Sequence, residues 1–114
     1  MKYMMLIYGS ATEDAAATEG PSMEDWFVYD KSAREAGIVV AGHALQDLTT
    51  ATSVRVTKEG ERVVTDGPFA ETREMLGGYY VLDVPNLDVA LDWAARCPGA
   101  RVGTIEVRPI AEFD

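Results

Sequence analysis

The chain has 114 residues, 47% apolar and 25% charged, with 19 acidic against 10 basic side chains and a formal net charge of −9. That balance fits one soluble domain, residues 1–114, with a real core, and excludes a disordered chain. An acidic surface repels phosphate backbones and anionic lipid, so nucleic acid and membrane are excluded as expected partners.

The run Tyr3–Tyr8 is too short for a secretory signal core, and no apolar stretch approaches the roughly 20 residues that span a bilayer. Lys2–Tyr8 is apolar at both alternating positions, as in a strand buried on both sides. Gly9–Gly20 is small and polar and reads as a loop. Ser22 and Asp25 then supply an N-cap and an acid in the first helical turn. Trp26, Tyr29, Ala33 and Ala36 continue at one-face helical spacing, and Gly37 is placed to end the helix in the left-handed conformation. The expected helix is Met23–Ala36.

Ile38–Leu45 reads as a strand. Thr52–Thr57 and Arg62–Asp66 alternate and are joined by Lys58-Glu59-Gly60-Glu61, which predicts a hairpin. Gly78–Val84 is a further strand, closed by Pro85. Asn86 caps a second helix whose inner face is Leu87, Ala90, Leu91 and Ala94, and Pro98-Gly99 stops it. Thr104–Arg108 is the last strand. The order predicts an α+β fold: a ferredoxin-like βαβ–hairpin–βαβ subunit, an antiparallel sheet with two helices on one face. The hairpin is expected to extend the sheet or fold over an edge. The helix-free face is expected to be covered by a second copy, sheet against sheet.

Cys97 is the only cysteine, so no intrachain disulfide forms, and a reducing cytoplasm is the expected location. One Cys and one His do not build a common zinc site in one chain. The chain has no dinucleotide fingerprint, phosphate loop or serine elbow. Any enzyme here is expected to be a lyase or isomerase that needs no metal or other cofactor.

The stretch Thr65–Tyr80, TDGPFAETREMLGGYY, concentrates special backbone. Asp66–Glu74 (DGPFAETRE) followed by Leu76-Gly77-Gly78-Tyr79-Tyr80 resembles the signature of the DGPF subgroup of the YCII-related family. The opening KYMMLIYG, the segment Gly42–Gln46 (GHALQ), DVALDWAARCPGA and GTIEVRPI extend the resemblance over nearly the whole chain. It implies a ferredoxin-like subunit that forms homodimers of the α/β-barrel type. The wider family is associated with a His–Asp pair in a pocket and includes an enzyme that removes chloride from a hydroxylated aromatic ring. Subgroup members are often encoded beside extracytoplasmic-function sigma factors, which implies a regulatory alternative.

Four residues follow as site candidates. His43, the only histidine, is the available general base, against the plainer role of a strand-end side chain. Asp66 is its candidate orienter, fixing the ring tautomer, or else simply holds a turn before Gly67-Pro68. Arg73 is a candidate anion anchor within a charged run that otherwise reads as solvated surface. Tyr79 and Tyr80 point to opposite faces, and Tyr80 is taken as the substrate-binding one. Trp26, Trp93 and Cys97 read as packing. Three functions stay open: acid–base turnover of a small organic molecule, a non-catalytic module that binds a small ligand or a regulatory partner, or a purely structural interaction domain with no ligand.

Overall fold

The computed structural model describes residues 1–10, 20–67 and 74–113. Among the described residues, ten stretches of regular structure follow one another along the chain. They are β1 (Lys2–Ser10), α1 (Met23–Glu35), β2 (Val39–Ala44), a 3₁₀ turn (Leu48–Thr50), β3 (Thr52–Val56) and β4 (Arg62–Asp66). After these come β5 (Glu74–Asp83), α2 (Leu87–Arg96), a second 3₁₀ turn (Pro98–Arg101) and β6 (Thr104–Pro109).

Four strands form one antiparallel sheet in the order β2-β5-β1-β6, while β3 and β4 form a separate two-stranded sheet. The order is compatible with the ferredoxin-like arrangement. The hairpin does not extend the main sheet, because neither of its strands pairs with it. No helix among the described residues is long and apolar enough to cross a membrane.

Local chemistry sets the helix ends. The Ser22 hydroxyl accepts from the Asp25 amide at 3.1 Å and the Asp25 carboxylate accepts from the Ser22 amide at 3.0 Å, a reciprocal capping box. Gly37 follows the helix at φ 74°, the left-handed conformation its position predicts. The Asn86 side chain accepts from the Val89 amide at 3.0 Å and caps α2.

Both helices pack on one face of the sheet. Tyr3, Met5, Tyr80 and Leu82 from the strands meet Tyr29 and Ala33 of α1 and Ala90, Trp93 and Ala94 of α2. The Tyr29 hydroxyl donates to the Trp93 carbonyl at 2.8 Å, which satisfies a buried phenol and ties the helices together. Cys97 is fully buried, and that burial pushes its thiol pKa up, as expected of an inert cysteine.

Strand alternation puts Met4, Leu6, Tyr79 and Val81 on the opposite face, where they are only partly buried. The expectation of burial on both sides therefore holds for one face within a single chain. The hairpin is also bare. Its cross-strand pairs put Val54, Val64 and Val56 on one side, all exposed. The chain is correspondingly extended, with a radius of gyration of 16.2 Å where a compact domain of this length is expected near ~13 Å.

Candidate functional site

Where β2 and β5 run beneath α1, the sheet offers almost no side chains. Gly42 pairs with Tyr80 and Ala44 with Gly78, so on the helix side the floor is Gly42, Ala44 and Gly78. Gly78 lets the strands close up, since a Cβ there would stand 2.9 Å from the His43 carbonyl oxygen. Just before it the register of β1 against β5 shifts, Ile7 facing Gly78 and Tyr8 facing Leu76, which leaves Gly77 as the extra residue of a bulge. The Tyr80 ring lies over Gly42, where a Cβ would come within 2.6 Å of a ring carbon.

The space left between this floor and α1 is an open cavity of about 1040 Å³. Its walls include Trp26, Phe27 and Met23 from α1, Ile7 from β1, and Leu45 and Leu48 after β2. They are mostly apolar, as is usual for small-molecule sites.

One polar group is built into that wall. The Tyr80 hydroxyl donates to Asp30 Oδ1 at 2.7 Å, and Arg34 Nε donates to Asp30 Oδ2 at 2.8 Å. Partial burial pulls the Asp30 carboxyl upward, but the bonds from Arg34 and Tyr80 outweigh it and hold the group below the usual carboxylate range. Burial, then the bond to Asp30 and its charge, push the Tyr80 phenol well above its ordinary value. Tyr80 is thus a neutral donor to an ionised Asp30.

His43 is exposed and borders the cavity at its β2 edge. Its ring packs on Tyr79, with centroids 5.7 Å apart, and Tyr79 points away from Tyr80 along β5. The imidazole therefore belongs to the helix-free face. Asp66 ends β4 opposite Thr52, is exposed, and does not border the cavity. Among the described residues His43 and Asp66 share no hydrogen bond or ion pair. Gly67 follows at φ 99°, so it holds the left-handed region as well as tolerating the next proline, and its amide donates to the Ala51 carbonyl at 2.7 Å. Arg73 lies outside the described residues, as do Pro68 and Phe69.

The YCII-related domain model matches residues 1–114, the whole chain. The chain belongs to the YCII-related family. It is also 36% identical to an uncharacterised protein of Rhizobium meliloti, over 99% of this chain and 94% of that one.

In this YCII-related chain, sequence reasoning named Tyr80, which borders this cavity, as a candidate and did not name Asp30 and Arg34, with which it forms the polar group. The available signal was the i, i+4 spacing of Asp30 and Arg34, which puts them on one helix face. Trp26, read as packing, both packs against the core and borders the cavity.

Proposed function

We propose that this protein binds a small organic molecule in the cavity beneath α1 and works as a homodimer of the DGPF subgroup. The carrying observation is the floor of Gly42, Ala44 and Gly78 beside an ordered Tyr80–Asp30–Arg34 group. Short floor residues leave room beside the Tyr80 ring, which covers Gly42, and fixed polar atoms orient what enters it. The motif Asp66–Glu74 supports the subgroup, and the lone buried Cys97 fits a cytoplasmic setting.

Two incompletely covered surfaces support the dimer: the sheet face of Met4, Leu6, Tyr79 and Val81, and the valine side of the hairpin. A two-stranded hairpin is marginal by itself, and a second copy is always available to support it. The test is a screen of small aromatic fragments followed in amide NMR spectra, with sedimentation velocity on the same sample. Shifts should centre on the Trp26 indole and the Gly42 and Gly78 amides, at the mass of two chains. Shifts confined to the helix-free face would remove this cavity as the binding site, and a one-chain mass would remove the dimer.

The second reading is acid–base turnover, of lyase or isomerase type, with His43 as the proton carrier. Its support is that His43 is exposed, with its imidazole on the helix-free face that a second copy would meet. Asp66 as orienter then comes from the hairpin of a second copy, and Arg73 remains the anion anchor. Paired in this way, His43 reacts with diethyl pyrocarbonate at a rate that Asp66→Asn alters. Equal rates in both proteins exclude Asp66 from that role.

A further inference from the structure

The binding reading leaves the chemistry of the ligand open, and the polar group in the cavity wall narrows it. Arg34 is the only Lys or Arg among the described residues that border the cavity. Asp30 engages its Nε, and among the described residues the two terminal nitrogens carry no hydrogen bond or ion pair. A guanidinium held through Nε keeps its outer pair of donors in the fork that fits a carboxylate.

The remaining neighbours point the same way. Both Asp30 oxygens already accept, one from Tyr80 and one from Arg34. Asp47, the other acid at the rim, accepts from the Thr49 amide at 3.3 Å. The unengaged donors at the cavity thus include a cationic fork, set against apolar Trp26, Phe27 and Leu48. The chain's net charge of −9 makes this meaningful. Such a surface disfavours anions in general, and Asp30 and Asp47 border the cavity beside Arg34, so a preference for an anion has to come from the directed donors of the fork, which seat one carboxylate.

We infer that the cavity selects a monocarboxylate carried on an aromatic or apolar body, with Arg34 as its anchor. This rests on the binding reading, and three probes of similar size separate the two claims: phenylacetate, neutral phenylacetamide and cationic 2-phenylethylamine. Each is titrated into the full chain and into Arg34→Gln and Arg34→Lys, with affinity read from the Trp26 indole signal. The Arg34 side chain is 53% exposed, so both variants are expected to keep the fold, and the same spectra check it.

Phenylacetate should bind at least ~10-fold more tightly than phenylacetamide, a difference of about 1.4 kcal/mol, with the amine weakest. Arg34→Gln should abolish the difference by weakening phenylacetate more than phenylacetamide, and Arg34→Lys should keep part of it. Equal affinities, or a preference for the amine, overturn the carboxylate inference and leave the binding reading standing. A preference that survives in Arg34→Gln overturns Arg34 as anchor. No binding by any probe overturns both.

Discussion

Leu82→Ala is expected to lower the unfolding free energy by about 2–5 kcal/mol, measured by urea denaturation. Leu82 is 1% exposed and sits on β5, a strand with neighbours on both sides. Tyr3 of β1 and Val39 of β2 pair with it across the sheet. Few atoms can move in to fill the lost volume, so both the transfer and the cavity contributions are incurred.

Val81→Ala, one residue earlier, is the informative control. Val81 faces the other way and is only partly buried within one chain. Its truncation should cost well under half as much while the helix-free face meets water. A cost approaching that of Leu82→Ala would mean that face is packed in solution, so the pair of variants also reports on the dimer.

Gly42→Val is expected to abolish probe binding in the cavity and to cost about 1–3 kcal/mol of stability. Even a bare Cβ at this position meets Tyr80 Cδ1 at 2.6 Å and Cε1 at 2.9 Å. Valine adds two methyl groups beyond that. The Tyr80 ring has to swing into the cavity, and its hydroxyl then leaves Asp30 and the group that includes Arg34. NMR titration with phenylacetate reads the binding, and urea denaturation reads the stability. Gly77→Ala serves as comparison, because its Cβ would find its nearest neighbour, the Ile7 carbonyl oxygen, at 3.9 Å. That variant should bind nearly as the parent does. If Gly42→Val binds as well as Gly77→Ala, the cavity floor is not where the ligand sits.

Much of the fold was legible because its signals are local. The spacing of Trp26, Tyr29 and Ala33, the Ser22–Asp25 cap and Gly37 each act within a few residues, and α1 forms where they place it. β5 was less legible. It starts at Glu74 rather than Gly78, since residues with a charged or glycine texture are carried into the strand by pairing with β1. The hairpin was recognised from its alternation, but alternation cannot say what a strand pairs with, and β3–β4 stands apart.

The site was harder for a related reason. Gly42, Ala44 and Gly78 matter for the side chains they lack, and they form a floor only once β2 is set beside β5. Tyr80 was singled out as one of an aromatic pair, yet its partner Asp30 is fifty residues away in sequence. His43 drew attention as the lone imidazole. Strand parity, fixed by its contact with Tyr79, turns the ring to the face opposite α1.

The strand order also governs when the sheet can exist. Among the described strands β1 leaves the ribosome first, yet both of its neighbours, β5 and β6, lie at residues 74–83 and 104–109. At about 5–20 residues per second, β1 waits for several seconds with apolar Tyr3, Met5 and Ile7 unpaired. Both strands of the β3–β4 hairpin emerge within that interval, because they are neighbours in sequence. The four-stranded sheet is therefore complete only after Thr104–Pro109 has been synthesised.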